Sequence, residues 1–296
     1  MAKIAFIGLG NMGSGMCANM CKAGIDISAY DLSSVARDAA AAAGAQVADS
    51  AEAAAQGAEM VITMLPAGSH VLDVYFDTGR VARAAVPGAL LIDCSTIAVE
   101  DARQAHRMAR EAGFAMLDAP VSGGVAAAQA GTLTFMVGGE AVDFARAEPV
   151  LATMGANVFH AGGAGNGQAA KIANNMLLGV SMIATCEAFN LAEKLGLDAQ
   201  TFFDISSKAS GQCWSMTSYC PAPGPVPAAP SNRDYQPGFS VAMMLKDLKL
   251  AMGAAEGTDA AAEFGKAAEQ AYQALADEGH SARDFSVPLL KLKGGL

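Results

Sequence analysis

Short apolar runs alternate with alanine-rich amphipathic segments along the N-terminal half of this chain, and that alternation constrains its fold more than any other feature. The spacing predicts strands at 4–7, 27–30, 60–65, 89–93, 115–119, 133–137 and 158–160. Helical spacing lies between several of these runs, at 13–23, 35–43, 51–55 and 100–112. Strands that alternate with helices form βαβ units, so we expect an α/β fold with a mostly parallel sheet.

The strand pattern stops near residue 165. The stretch 167–195 predicts one long helix, in which Lys171 and Glu187 are the only charged residues between Gln168 and Ala192. A helix that is apolar on nearly every face is expected to be buried on nearly every face. Further helices are predicted at 199–207, 241–255 and 260–278. We therefore expect an α/β domain over 1–163 and an all-helical domain over 164–296, joined by the long helix.

The composition excludes several classes of protein. With 296 residues, 52% of them hydrophobic, the chain is long enough for two domains with a sizeable core. A net charge of −10 argues against nucleic acid as a partner, because such binding requires lysine and arginine at the phosphates. Prolines and glycines interrupt the uncharged stretches 119–139 and 209–232, so we expect no membrane span.

The cysteines and the N-terminus bear on compartment. The six cysteines have neither metal-ligand spacing nor a dense disulfide framework, so we expect reduced thiols and no bound metal. The first strand-like run begins at Lys3, so we expect no targeting peptide. Both observations predict a cytoplasmic protein.

A glycine-rich turn follows the first predicted strand and opens a helix. In Gly8-Leu9-Gly10-Asn11-Met12-Gly13, the three glycines permit a tight turn, close approach of a pyrophosphate and close helix–strand packing. The pattern alone is weak evidence in a chain with 32 glycines. Asp31 ends the second strand, where an acidic side chain accepts hydrogen bonds from the adenosine ribose, although capping of the next helix is the alternative role. Together they predict a dinucleotide site that prefers NAD to NADP.

Four blocks resemble the β-hydroxyacid dehydrogenase family and span essentially the whole chain. They are Phe6–Gly13, Asp118–Gly124, Gly167–Asn175 and Lys246–Leu248. The resemblance implies a Rossmann-type NAD-binding domain followed by an all-helical domain for substrate binding and subunit association, hence a homodimer or homotetramer. It also implies roles for these blocks: cofactor contacts at Gly8, Leu9, Gly10, Asn11, Met12, Gly13 and Lys246, and substrate contacts at Ser122, Gly123, Gly124, Asn175 and Asp247.

One stretch resembles the branch of this family that oxidises 3-hydroxyisobutyrate to methylmalonate semialdehyde in valine breakdown. It is Ser210-Gly211-Gln212-Cys213-Trp214-Ser215 with the proline-rich segment that follows. Cys17 and Gln212 depart from the usual family residues. Trp214 is a candidate wall of the substrate pocket, and plain packing is the alternative. Two other functions remain open, a reductase of tartronate semialdehyde or another short semialdehyde, and a non-catalytic NAD-binding relative.

Oxidation of an alcohol requires a base, and Lys171 is the candidate. A lysine on a nearly uncharged helix loses solvation, which lowers its pKa towards the working pH. Gly167, Lys171 and Asn175 follow each other at intervals of four and so share one helix face, where Gly167 would leave room for substrate. The alternative is a lysine that extends to the surface. His106 and His280 are predicted at charged helix surfaces, and neither is favoured as the base.

Several remaining positions are predicted from strand ends and turns. Ligands of open α/β sheets bind at the carboxyl ends of strands, which places Leu65, Pro66, Ser95 and Thr96 beside the cofactor. Backbone N–H groups at Ser122, Gly123 and Gly124 suit a carboxylate, or form an ordinary turn. Without the resemblance, Lys246 and Asp247 would be assigned to a solvated helix face.

Overall fold

The computed structural model describes residues 3–296, so residues 1 and 2 of the predicted first domain lie outside it. The chain forms two compact units, which divide between Lys171 and Ile172. That division falls inside one continuous helix, Asn166–Lys194. The functional boundary that we place near residue 163 stays a prediction.

The first unit is built on a nine-stranded sheet. Its strands are β1 (Ile4–Ile7), β2 (Ile27–Tyr30), β3 (Gln46–Val47), β4 (Met60–Thr63), β5 (Leu90–Asp93), β6 (Ala115–Asp118), β7 (Val121–Ser122), β8 (Leu133–Gly138) and β9 (Gly155–Gly162). The order is β3-β2-β1-β4-β5-β6-β8-β7, and β9 pairs with β8. Strands β1 to β6 pair in parallel, β8 runs antiparallel to β6 and β7, and β9 is parallel to β8.

Helices connect these strands. They are α1 (Gly13–Lys22), α2 (Ser34–Ala42), α3 (Ala51–Ala55), α4 (Gly68–Phe76), α5 (Val81–Ala84), α6 (Val99–Glu111), α7 (Gly124–Ala130) and α8 (Ala141–Leu151). Alternate residues of a strand face opposite sides, so Ile4 and Phe6 pack in one core cluster and Ala5 and Ile7 in another. Strand order reverses between β1 and β4, which is where such sheets bind ligands.

The second unit is helical. Helix α9 (Asn166–Lys194) begins in the first unit and continues into the second. It is followed by α10 (Ala199–Ser206), α11 (Trp214–Thr217), a 3-10 turn (Pro230–Arg233), α12 (Val241–Gly257), α13 (Glu263–Asp277) and α14 (Pro288–Leu292). Within its described residues no strand forms, apart from an isolated bridge between Ser240 and Asp284. The predicted fold class, a Rossmann-type domain followed by a helical one with a long joining helix, is confirmed.

The expectation that the long helix is buried on nearly every face is wrong. Only 39% of its most apolar window is buried, and Leu177, Leu191 and Leu195 are exposed. Its length and composition would also suffice to cross a membrane, and it alone among the described helices passes that test. This is weak evidence, because long core helices of other proteins pass it too.

Elements without a clear signal in the sequence account for other differences. Strands β3 and β7 have two residues each, too few to show a two-residue period. Helix α4 begins at a glycine and its first turn has no side-chain cap, while α8 contains Pro149, so neither carries the usual helix signals. These elements were therefore not predicted.

Candidate functional site

The glycine-rich turn connects β1 to α1 as the sequence predicts. Gly8 has a φ of +97°, and a Cβ there would collide with the carbonyl oxygen of Met64, which directly follows the neighbouring strand β4. A Cβ on Gly13 would collide with the carbonyl oxygen of Gly8, so only glycine allows the helix to begin this close to the strand. Gly10 differs, since its Cβ position is open and its backbone is exposed. That open backbone is where a pyrophosphate can approach.

The side chain of Asp31 is hydrogen-bonded to this turn. Its Oδ2 accepts a hydrogen bond of 2.6 Å from the Leu9 N–H, and its Oδ1 accepts one of 2.7 Å from the Ser33 N–H. Ser33, not Asp31, caps α2 by accepting a bond from the Ala36 N–H. Asn11 is exposed and Met12 half-buried at the start of α1. Asp31 therefore lies where the ribose is expected.

An arginine lies beside Asp31, which the sequence reasoning did not foresee. Arg37 Nη1 donates to the Asp31 carbonyl oxygen at 2.6 Å and to the Leu32 carbonyl oxygen at 3.1 Å. Its guanidinium carbon lies 5.9 Å from the centre of the Tyr30 ring. Arg37 is six residues after Asp31 in the sequence, and the first turn of α2 returns it to the strand end.

The loops after β4 and β5 are held together by a buried polar cluster. The Leu65 N–H donates to Ser95 Oγ at 2.8 Å, and Ser95 Oγ donates to Asp93 Oδ1 at 2.6 Å. Thr63 Oγ1 donates to the same carboxylate oxygen at 2.7 Å. Pro66 is exposed and Thr96 half-buried at the same edge of the sheet. Burial raises the pKa of Asp93 from 3.8 to about 6, and the hydrogen bonds from Ser95 and Thr63 oppose that shift.

Asp118 caps the long helix, a role that the sequence reasoning missed. Its Oδ1 accepts the Gly165 N–H at 2.8 Å and its Oδ2 accepts the Gln168 N–H at 2.9 Å. His106 Nε2 lies 3.0 Å from Asp118 Oδ1. The prediction that His106 lies at a charged helix surface is wrong, because it occupies the buried face of α6 against this carboxylate.

Gly167 has a different role from the one predicted. A Cβ at this position would collide with the carbonyl oxygens of Met136 and Asp118. The glycine therefore allows the first turn of α9 to pack against strand backbone, and the proposal that it leaves room for substrate is replaced by this packing role. Gln168, next along the helix, is fully buried and uses both ends of its side-chain amide.

Lys171 lies one turn further along α9 and is only 6% exposed. The alternative of a lysine extending to the surface is therefore wrong. In the same unit, Ser122 ends β7 and pairs with Thr134, so its backbone belongs to the sheet. Gly123 (φ +134°) and Gly124 (φ +69°) follow it with backbone that L-residues rarely adopt. Of the predicted Ser-Gly-Gly turn, only the two glycines lie outside the strand.

The second unit brings together three of the other candidates. Asn175 Nδ2 donates to Asp247 Oδ2 at 2.6 Å, and Asn175 Oδ1 accepts from Asn174 Nδ2 at 3.0 Å. Asp247 Oδ1 lies 3.4 Å from Lys246 Nζ. Asn175 and Asp247 are both buried, so the alternative of a solvated Lys-Asp face is wrong for Asp247.

Trp214, also in the second unit, opens α11. Its ring is half exposed and stacks on Tyr219, with centres 5.1 Å apart and planes inclined by 22°. The exposed ring face is available to a ligand, and the stacked face is committed to packing. The packing alternative therefore holds for one face of the ring, and a role as wall of the substrate pocket stays a prediction.

The residues of the first unit fit a bound dinucleotide. The open backbone of Gly10 lies just before α1, whose first turn carries no side-chain cap. The Asp31 carboxylate lies at the end of the next strand. Exposed N–H groups at a helix N-terminus bind phosphate, and an acid at that strand end accepts ribose hydroxyls.

Comparison with known proteins agrees with this geometry. Residues 3–163 match the family model of the NAD-binding domain of 6-phosphogluconate dehydrogenase, and residues 165–291 match that described as NAD-binding of NADP-dependent 3-hydroxyisobutyrate dehydrogenase. A 3-hydroxyisobutyrate dehydrogenase of Pseudomonas aeruginosa is 50% identical over 97% of both chains. An NAD-dependent L-serine dehydrogenase of the same species is 48% identical over 97% of this chain and 96% of its own length.

A solved structure is similar over nearly all of its length. It is a 3-hydroxyisobutyrate dehydrogenase of Mycobacterium tuberculosis with L-serine, which is 49% identical and superposes with a TM-score of 0.93 over 99% of both chains. The similarity therefore extends through both units.

Proposed function

Because the chain belongs to the 3-hydroxyisobutyrate dehydrogenase family of NAD-dependent 3-hydroxyacid dehydrogenases, we propose that it oxidises 3-hydroxyisobutyrate to methylmalonate semialdehyde. The observation that supports a catalytic role most directly is the buried Lys171, one turn after the capped start of α9. A non-catalytic relative would not require a lysine to be buried there, since burying an ammonium group is costly.

Lys171 acts as the general base in this proposal. The bound NAD supplies the hydride acceptor. As the carbinol carbon loses hydride, the neutral amine of Lys171 takes the proton from the alcohol oxygen, and the alcohol becomes an aldehyde. In the reverse direction the ammonium group returns that proton. Lys171 must therefore hold its proton only after the alcohol has been oxidised.

The substrate carboxylate needs fixed hydrogen-bond donors. We assign it to the backbone at Ser122, Gly123 and Gly124, together with the amide of Asn175. Asp247 and Asn174 orient that amide, which leaves one N–H of Asn175 Nδ2 for a ligand. The exposed face of Trp214 would cover the α-methyl group. One methyl in such a pocket is worth about 1–3 kcal/mol, so unbranched 3-hydroxypropionate should be discriminated against only modestly.

The substitution Lys171→Ala tests the assigned base. Turnover should fall by at least about a hundredfold while NADH binding, measured by fluorescence, stays close to that of the original protein. Lys266→Ala, which removes an exposed lysine from α13, is the control and should be active. Near-normal turnover of Lys171→Ala would remove Lys171 from this role.

L-serine is a second candidate substrate. It is also a 3-hydroxy acid, one relative is named an L-serine dehydrogenase, and the similar Mycobacterium structure contains L-serine. Specificity constants for 3-hydroxyisobutyrate, 3-hydroxypropionate, L-serine, glycerate and 4-hydroxybutyrate decide between them. A clear preference for L-serine would replace the proposed substrate. A preference for glycerate or 4-hydroxybutyrate would instead favour the short-semialdehyde reductase.

We further propose a cytoplasmic homodimer or homotetramer that binds neither nucleic acid nor membrane and acts in valine breakdown. The six cysteines are all unpaired, in keeping with a reducing compartment. Growth on valine of a strain lacking the gene tests the metabolic role, and normal growth on valine would contradict it.

A further inference from the structure

Gln168 connects the long helix to the loop after β5. Its Nε2 donates to the Ser95 carbonyl oxygen at 2.7 Å, and its Oε1 accepts from the Ile97 N–H at 3.1 Å. The side chain is fully buried. A primary amide is suited to this double contact, because it carries a donor and an acceptor side by side.

The loop that Gln168 holds is itself attached to the preceding one. Ser95 accepts the Leu65 N–H with its hydroxyl, and the same hydroxyl donates to the buried Asp93. One buried residue on α9 therefore holds Ser95 directly and Leu65 through it. These are the loops that the sequence predicts beside the cofactor.

The same residue stands one helical turn before the proposed base. Gln168 and Lys171 are three residues apart in α9, so their side chains lie on neighbouring positions of one face. The backbone of Gln168 is fixed at the same time, because its N–H donates to the buried carboxylate of Asp118. The first turn of α9 is thus fixed on one side by Asp118 and on another by the cofactor loop.

We propose that Gln168 is a positioning residue that fixes the cofactor loops relative to the catalytic lysine. This rests on the proposed function. The side-chain amide holds the Ser95–Ile97 loop in the conformation that receives NAD, and it holds the turn of α9 that carries Lys171. Loss of the amide weakens coenzyme binding and also slows turnover when coenzyme is saturating.

Gln168→Glu provides a test by pH. The ionised carboxylate has no proton to donate to the Ser95 carbonyl oxygen, whereas the protonated carboxyl group restores both contacts. At pH 8 we expect the dissociation constant for NADH to rise about tenfold, because the buried Ser95 carbonyl oxygen loses its donor and faces a carboxylate instead. The deficit should shrink as the pH is lowered to 6, and Gln168→Met, which cannot titrate, should show the same deficit at both values.

Kinetics separate positioning from simple destabilisation. Both variants should show an increased KM for NAD and a kcat reduced about tenfold at saturating NAD. Tyr272→Phe is the matched control, since it removes a buried hydroxyl that donates to the Phe285 carbonyl oxygen in the second unit. It should lower thermal stability and leave the dissociation constant for NADH unchanged.

Two outcomes would overturn the proposal. One is a pair of folded Gln168 variants whose NADH affinity and kcat remain within about twofold of the original, the size of a typical neutral substitution. The other is an equal deficit in Gln168→Glu at both pH values. The binding measurement does not involve proton transfer, so failure of Lys171 as the base would leave the NADH result interpretable, and the two failures remain distinct.

Discussion

In each unit the candidate residues are polar side chains that are already committed to backbone groups or to each other. In the first unit Asp31 accepts from the Leu9 and Ser33 N–H groups and Gln168 spans two backbone groups, and in the second Asn175 is held by Asp247. A ligand that binds to such groups meets side chains whose orientation is already fixed, which lowers the entropic cost of binding.

Asp31 and Arg37 together should determine the choice of coenzyme. The Asp31 carboxylate repels a 2′-phosphate, so the specificity constant should be higher for NAD than for NADP. In Asp31→Asn the neighbouring Arg37 is no longer opposed by that charge. The ratio of the specificity constants for NAD and NADP should therefore fall by about tenfold, which is the effect expected of one nearby surface charge. Specificity constants for both coenzymes measure this.

Two variants control for this effect. Asp38→Asn removes an exposed charge from the same helix and should leave the preference unchanged. Adding Arg37→Ala to Asp31→Asn should abolish whatever NADP activity was gained. Equal constants for the two coenzymes in the original protein would contradict the role of Asp31.

Asp93 should make stability depend on pH. Its pKa is raised from 3.8 to about 6 by burial, so the folded state binds the proton more tightly than the unfolded state. As the pH rises from about 4 to about 6, the stabilisation from this carboxyl group is lost, and the free energy of unfolding falls by about 3 kcal/mol. Asp93→Asn does not titrate, so relative to the original protein it should gain most of that amount between pH 4 and pH 7.

Urea unfolding of both proteins at the two pH values measures the gain. Asn can still accept through its Oδ1 the bonds that Asp93 Oδ1 accepts from Thr63 and Ser95. The exposed Asp38→Asn change should give no such gain. A difference between the two proteins that does not vary with pH would mean that the Asp93 pKa is not raised.

At the scale of single residues, sequence reasoning identified the side chains that belong to motifs and missed those that support them. Asp118 and Gln168 stand inside motifs that were noticed, yet neither was given a role. The partners of Asp118 include Gly165 and His106, which are distant in sequence from it, so no local spacing indicates the contact. Only the tertiary fold brings these groups together.

At the scale of elements, strands and helices with a clear hydrophobic period were predictable, and those without one were not. Strand β1 and helix α3 have the bounds that hydrophobic spacing predicts. Helix α7 has no counterpart in the prediction, which assigns only its first residue, Gly124, to a turn, and its place is determined by packing. A Cβ on Gly15 of α1 would lie 2.8 Å from the backbone of Ala128, so α1 and α7 pack closely because Gly15 has no side chain.

Gly15→Ala and Gly253→Ala should therefore have opposite effects. Both glycines lie inside helices, but a Cβ on Gly253 of α12 would meet open space. Gly15→Ala should destabilise the protein by about 1–3 kcal/mol through overpacking. Gly253→Ala should stabilise it by up to about 1 kcal/mol, since alanine favours the helix. The unfolding temperatures of the two variants measure this difference. Equal destabilisation by both would mean that the contact between α1 and α7 does not depend on the absence of a side chain at position 15.

At the scale of the whole molecule, α9 and the residue that follows it expose large apolar side chains. Leu177, Leu191 and Leu195 are exposed, and spacings of fourteen and eighteen residues put them along one side of the helix axis. Glu187 is the only charged exposed residue between Leu177 and Leu191. Exposed leucines along one side of a helix suit an interface. The sequence could not reveal this, because a uniformly apolar helix is equally suited to burial within one chain.

The face that carries Leu177, Leu191 and Leu195 should join copies of the chain. Leu191→Glu should convert the dimer or tetramer to a smaller species, because a carboxylate in an apolar interface is left without solvation. Size-exclusion chromatography with light scattering measures the mass, and circular dichroism checks that the variant is folded. Val142→Glu, which replaces an exposed apolar residue of α8 in the first unit, should leave the mass unchanged. A monomeric original protein, or an unchanged mass in Leu191→Glu, would assign the leucines to another role.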